Sequence, residues 1–262
     1  NIDGTGIRVG ILDTGIQSKH PELANKNVVF KDFVVGLTNP YDDHGHGTHV
    51  AGTIAGVNTG IAPHAKIIFA KGFPDGNPET SDYPQIVSNS WGGDLGTDGV
   101  VDISSFAPFQ RALIAWIHGG IVPVFAAGNS GTVPNGFPGG FPEPLAIGAM
   151  DNNGAIADFS SRGPNLWKVG EHVLSLMKPD ISAPGVQITS AFPGNKYATW
   201  DGTSMATPHA TGAIALALQA NPKLKYADIK TLLMKSSEKK VDLSFGYGVL
   251  NAYELVRLAS TR

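Results

Sequence analysis

The chain reads as an α/β protein of three layers, a mostly parallel sheet flanked by helices, in one domain over residues 1–262. Three observations predict this. Short apolar runs bounded by glycine or polar residues recur along the chain, and helical patterns lie between them. Apolar residues make up 42% and charged residues only 16%, enough to fill a sizeable core.

The predicted strands are IRVGIL (7–12), KIIFAK (66–71), QIVSNS (85–90), IVPVFAA (121–127), PLAIGAM (144–150) and VQITSAF (186–192). They are short and rich in Val and Ile without strict alternation, as strands covered on both faces are. HVAGTIAG (49–56) is a small apolar helix, and ISSFAPFQRALIAWIHGG (103–120) a longer amphipathic one. SMATPHATGAIALALQA (204–220) is apolar almost all round, which marks a buried helix. YADIKTLLMKSS (226–237) and NAYELVRLAS (251–260) close the chain. In such folds, functional groups gather at the carboxyl ends of the strands.

Composition excludes several classes. The net charge of −3 gives no electrostatic reason to expect nucleic acid or an anionic membrane as partner. No apolar run approaches the ~20 residues that cross a bilayer. Cysteine is absent, so no disulfide framework, thiol nucleophile or thiolate metal site exists. Glycine numbers 33 without a G-X-Y period, which fits tight loops and backbone close to a ligand. The first residues enter a strand pattern without a charged leader, so residue 1 reads as the start of a mature or trimmed domain.

Four segments carry candidate chemistry. The first strand runs into Asp13-Thr14-Gly15, a carboxylate at a strand end, for which an Asx-turn is the plain alternative. DDHGHGTHVAG (42–52) holds His44, His46 and His49 at a spacing that also suits a metal. Ser204 stands behind Gly202-Thr203 at the mouth of the buried helix, where backbone N–H groups favour a developing anion; an ordinary N-cap is the alternative. Asn129, in AAGNSG (126–131), is a turn residue or, at a strand end, an amide donor to an oxyanion.

Together these supply an acid, a base, a nucleophile and an oxyanion donor in the chain order Asp, His, Ser. DTGI (13–16), HGTHVAGTIAG (46–56), SNSWGG (88–93), AAGNSG (126–131), FSSRGP (159–164), KPDISAPG (178–185) and GTSMATPHATG (202–212) resemble, in order, the patterns of the subtilisin family of serine peptidases. Within it NSWGG, WDGTSMA and GYGVLNA resemble the bacillopeptidase F branch.

The resemblance implies the roles. His46 is the base, Asp13 holds its tautomer, Ser204 is the nucleophile, and Asn129 with the Ser204 N–H serves the oxyanion. His49 becomes a packing histidine bonded to backbone, His44 a rim residue, and Asp42 and Asp43 solvated. Ser90-Trp91-Gly92 and Ala126-Ala127-Gly128 become the two walls of the S1 pocket, with Trp91 equally well explained as core. Nothing charged is visible in those walls, so a broad apolar P1 preference is expected. Polypeptides are the implied substrates and a removed propeptide, a secreted setting and a monomer are implied with them.

Two regions are shorter than the family's pattern. Residues 72–87 have no room for the usual edge segment and surface helix; Gly76 and Asn77-Pro78 are candidates for subsites beyond S1. The loop AGVNTGIAPHAK lacks oxygens for a strong calcium site beside Glu22, so none is expected, and no cofactor is needed for catalysis. A weak structural calcium on the Gly139, Phe141 and Pro144 carbonyls is a further expectation. Of the rivals, a metal hydrolase built on the three histidines leaves Asn129 and GTSMA unexplained. An α/β-hydrolase expects G-x-S-x-G and another residue order. A binding module that kept the fold but lost catalysis finds no support, since all four groups are present; its loss would have to come from the shortened region.

Overall fold

In the computed structural model, the described residues are 2–72, 83–94, 100–238 and 241–262. Gly76, Asn77 and Pro78, and most of the shortened segment, lie outside them. The elements are β1 (Arg8–Asp13), β2 (Val29–Asp32), α1 (His46–Ala55), β3 (Lys66–Lys71), β4 (Ile86–Asn89), β5 (Val101–Asp102), α2 (Ala107–His118), β6 (Val122–Ala126) and β7 (Leu145–Met150). They continue with β8 (Asn165–Val169), β9 (His172–Leu176), β10 (Ile181–Pro184), β11 (Ile188–Phe192), β12 (Lys196–Trp200), α3 (Thr203–Ala220), α4 (Tyr226–Ser236) and α5 (Ala252–Ser260).

Seven strands form one parallel sheet in the order β10-β7-β6-β4-β1-β3-β2. The runs predicted from Val and Ile density supply its centre. β1 is buried along Val9–Leu12 and β4 along its whole length, because helices or loops cover both faces. Successive residues of β6 serve opposite faces. Val124 belongs to the main core with α1, α3, α4 and α5, whereas Phe125 joins a smaller cluster with Leu113 of α2, Phe141 and Trp167. This is the expected three-layer arrangement.

One strand prediction is corrected. VQITSAF is not a strand of the main sheet; β11 pairs only with β12, as an antiparallel hairpin. Ser190 and Ala191 are buried while Thr189 is exposed, and the hairpin packs on α1. Ser190 Oγ donates to the His49 carbonyl at 2.8 Å, and a side chain at Gly52 would collide with Ser190 Oγ at 2.4 Å.

α3 is the central helix. Thirteen of its eighteen residues are buried. Their small size is what admits it: a Cβ on Gly212 would fall 2.6 Å from Ile61. Beside it, β10 is tied to the segment before β7 by a buried ion pair. Lys178 Nζ donates to Asp180 Oδ2 at 2.7 Å and to the Pro144 carbonyl at 2.8 Å. Asp180 Oδ2 also accepts from Ala146 N–H, and Lys230 of α4 reaches Asp180 Oδ1 at 3.2 Å.

Asp180→Ala leaves the Lys178 ammonium buried with its counter-charge removed. It should cost about 3–5 kcal/mol, read as a fall in the denaturant midpoint. A midpoint within experimental error of the parent would contradict this account.

Candidate active site

β6, β4 and β1 are neighbours in the sheet, so their carboxyl ends deliver Asn129, Ser90 and Asp13 to one edge. α1 and α3 then bring His46 and Ser204 to that edge as their first and second residues. α1 begins three residues before the predicted start. The turn into it needs Gly45, at φ +100°, where a Cβ would sit 2.2 Å from the Phe192 ring.

His46 Nδ1 bonds Asp13 Oδ1 at 2.7 Å, and the same oxygen accepts the Thr14 N–H at 2.7 Å. The Asp13 carboxyl is nearly inaccessible and the imidazole about one-fifth exposed. Burial alone would lower the His46 pKa; the hydrogen bond and charge of Asp13, with Asp42 behind, outweigh it and raise the value above the ordinary one. Thr14 Oγ1 accepts the Gly47 N–H and donates to Asp42, which locks the end of β1 to the start of α1.

Asp42 is not a solvated residue, contrary to expectation. Its carboxylate accepts from the N–H groups of His44, Gly45 and Thr48 and from the Thr48 hydroxyl, so it caps the first turn of α1. Asp43, exposed, pairs at 2.6 Å with Lys71 Nζ, which also donates to the Thr14 carbonyl. The buried Lys71, which sequence reasoning missed, thus ties together the loops that carry Asp13 and His46.

The three histidines of DDHGHGTHVAG surround Trp200, which the sequence showed only as part of WDGTSMA. His49 stacks on it at 5.1 Å and 14°, His46 at 6.1 Å and 25°, and His44 meets it edge-on at 6.5 Å. His49 is buried as expected, and its Nε2 faces the carbonyls of Ile188 (3.0 Å) and Ala198 (3.2 Å), one on each hairpin strand. Two acceptors require Nε2–H, and burial drops its pKa to about 4. His44 is exposed at the rim. The three do not converge on one point, and the described residues hold no group of three His, Cys, Asp or Glu suited to a metal ion.

Both plain alternatives for Ser204 and Asn129 fail. The cap of α3 is Gly202, at φ +154° and ψ +157°, and Ser204 lies inside the helix. Left-handed backbone around Asn129 is taken by Gly128 and Gly131, not by the asparagine. Asn129 Oδ1 accepts from Thr203 N–H and Thr203 Oγ1, each at 2.9 Å, which turns the Nδ2 donors away from the helix. A Cβ built on Gly202 would lie 3.6 Å from Ser204 N and 3.8 Å from Asn129 Nδ2, so the two nitrogens flank one spot. Ser204 Oγ donates to the Ser90 carbonyl at 3.0 Å rather than to His46, and Ser90 Oγ donates back to the Ser204 carbonyl at 2.9 Å.

A cavity of about 350 Å³ opens beside Ser204 between the two expected walls, Ser90-Trp91-Gly92 and Ala126-Ala127-Gly128. Phe137 lines it, with Gly93 and Phe137 exchanging backbone hydrogen bonds at 2.9 Å each way. Trp91 serves as wall and core at once, packing edge-on against Phe125 at 5.2 Å. The two walls carry no charge, as expected, but Asp94, beyond them, also lines the cavity. A second cavity of about 430 Å³ lies beside Asp13 and His46, and the two share Ser90 and Trp91.

His49 yields a pH prediction. Below about 6.5 the unfolded chain binds a proton there that the native chain refuses until about 4. Unfolding therefore becomes easier as pH falls through that window, by roughly 3 kcal/mol at its foot. In His49→Gln, the slope of stability against pH between 6.5 and 4 should flatten, measured by denaturant unfolding at several pH values.

Comparison with known proteins agrees with the geometry. The model of the Subtilase family matches residues 4–248. Bacillopeptidase F of Bacillus subtilis (strain 168) is 35% identical over 97% of this chain, which spans only 21% of that protein's length. Subtilisin BL of Lederbergia lenta is also 35% identical, over 98% of this chain and 93% of its own. The solved structure of a cold adapted subtilisin-like serine proteinase superposes with a TM-score of 0.76 at 29% identity, covering 96% of this chain and 89% of that one. A match along nearly the whole sequence, on a sheet whose strand ends gather the motif residues at one cleft, means that the chain belongs to the subtilase family of subtilisin-like serine endopeptidases.

Proposed function

We propose that the chain hydrolyses peptide bonds through an acyl-enzyme, with Ser204 as nucleophile, His46 as base and Asp13 as its partner. The observation that carries this is the 2.7 Å Asp13–His46 bond at the same cleft as an asparagine amide and a helix N-terminus. Asp13 accepts from Nδ1–H, which leaves the Nε2 lone pair as the base. Rotation of the Ser204 side chain from the Ser90 carbonyl toward Nε2 brings the hydroxyl proton within the base's reach; such bonds commonly tighten only with substrate bound.

Ser204 Oγ then attacks the scissile carbonyl carbon and its proton passes to His46. The tetrahedral oxyanion accepts from Asn129 Nδ2 and Ser204 N–H, which the fold holds ready before reaction. Collapse expels the amine, which takes the proton from His46. Water, deprotonated by His46, attacks the acyl carbon and releases Ser204. The cavity between the two backbone walls receives the P1 side chain, and its Trp91, Phe137 and alanine surfaces suit a broad, apolar preference. The family supports a secreted monomer matured by loss of a propeptide. Among the described residues no helix is long and apolar enough to cross a membrane.

We also propose that the domain needs no bound calcium. Glu22, buried, already has both oxygens occupied. Oε1 accepts from Asn58 Nδ2 and Tyr197 OH, and Oε2 from Asn58 N–H, Thr59 N–H and Thr59 Oγ1. Of the three carbonyls expected to hold a weak cation, Pro144 already accepts from Lys178. The residues present do not fit a hard cation that asks for 6–8 free oxygens.

A fluorophosphonate should label Ser204 irreversibly, and labelling should vanish in His46→Ala, read by mass spectrometry of the intact chain. Inhibition by chelator without labelling would instead favour a metal hydrolase. Excess chelator should leave the melting temperature unchanged, and a large drop would refute the calcium-free account.

A further inference from the structure

Asp94 follows the wall Ser90–Gly93, and Ser130 follows Asn129 at the end of the other. Ser130 Oγ donates to Asp94 Oδ2 at 2.9 Å, so this one hydrogen bond joins the two walls across the cavity beside Ser204. The backbone fixes where the carboxylate stands. Gly93 is clamped to Phe137 by paired hydrogen bonds, and a Cβ on Gly136 would lie 2.2 Å from the Gly93 carbonyl, so the strands cannot be closer. Asp94 is exposed at the rim, and among the described residues none of the ion pairs includes it. Among the described residues, every other one lining this cavity is uncharged.

We infer that Asp94 is a specificity residue of the S1 pocket, which makes the enzyme accept lysine and arginine at P1 while excluding glutamate. This rests on the peptidase reading above. The chemistry follows from the shape. A long basic side chain lays its methylene stem along Trp91, Ala127 and Phe137, as amphipathic side chains do, and carries its charge outward to the rim. There the carboxylate meets it in partial solvent, the hydroxyl of Ser130 holding one oxygen in place. A glutamate at P1 brings a like charge to the same spot, and an apolar residue fills the walls without using the rim. Apolar P1 residues thus remain good substrates, and the carboxylate ranks the charged ones.

The test uses four peptide substrates that differ only at P1: Phe, Met, Lys and Glu. Met is the neutral counterpart of Lys in length. In the parent enzyme, kcat/KM for Lys should exceed that for Glu. In Asp94→Asn the Lys-to-Met ratio should fall about two- to fivefold, the range for an ion pair at a solvated rim. Asp94→Lys should bring Glu above Lys. Added salt should shrink the Lys-to-Met ratio of the parent and leave that of Asp94→Asn nearly flat. Ratios that do not respond to either substitution, with Phe cleaved normally, would overturn the rim assignment alone. Cleavage of none of the four, with no fluorophosphonate labelling of Ser204, would overturn the peptidase reading and this inference with it.

Discussion

The reciprocal pair of hydrogen bonds between Ser90 and Ser204 is the contact on which the cleft depends. Its origin is a proline inside α3. Pro208 has no N–H to give the carbonyl four residues back, and that carbonyl belongs to Ser204. Elsewhere in a helix this is a loss. Here Ser90 Oγ, at the end of β4, supplies the missing donor at 2.9 Å, and Ser204 Oγ returns a bond to the Ser90 carbonyl at 3.0 Å. The first turn of the buried helix is thereby stitched to the middle of the sheet. Asn129 adds a second stitch, from β6 to the Thr203 N–H and hydroxyl. Two neighbouring strand ends thus hold one helix start in register, and the placement of the Asn129 amide beside the Ser204 N–H is a by-product of that docking.

The histidine cluster shows how one stretch of eleven residues yields three environments. α1 places His46 and His49 on one face, one turn apart, and the hairpin laid over that face inserts Trp200 against both. What separates them is the partner of the ring nitrogens. His46 finds a carboxylate, which stabilises its charged form; His49 finds two carbonyls in a buried site, and there desolvation prevails. A flat aromatic face shared by both rings resists rotation of either, so the tautomer chosen by Asp13 is also held in orientation.

How much of this was legible in the sequence can be argued residue by residue. The centre of the sheet was, because β1, β3, β4, β6 and β7 are covered on both faces and concentrate apolar residues. The sheet edge β2 and the pair β8–β9 were not, since Val29–Asp32 and His172–Leu176 are largely exposed and read as polar loop; β10 is buried but only four residues long and ends in proline. VQITSAF carries the same local density as a core strand, and only its position against α1 tells it apart. Asp13, His46, Asn129 and Ser204 stood out because each sits at an element end in a glycine-rich motif. Lys71, Asp42, Thr203 and Asp94 did not. Their parts come from contacts across the fold, such as Lys71 with Asp43, or from a bond between wall ends, which no local spacing encodes.

Holding the Glu22 carboxylate with tethered donors shifts the burden to acid conditions. Glu22 must stay ionised for its donors to remain satisfied. Burial opposes that charge, but the bonds from Asn58, Tyr197 and Thr59 prevail and hold its pKa at about 2. Its folded value is depressed, so its contribution is fully present above the unfolded value near 4.5 and is lost as pH falls toward 2. His49 acts earlier, between about 6.5 and 4, so the hairpin over α1 weakens before the Glu22 loop does. Both groups bear on the same hairpin, His49 through Ile188 and Ala198 and Glu22 through Tyr197. That hairpin carries Trp200 against His46. Acid therefore acts on the orientation of His46 as well as on its protonation, and the two effects run in the same direction.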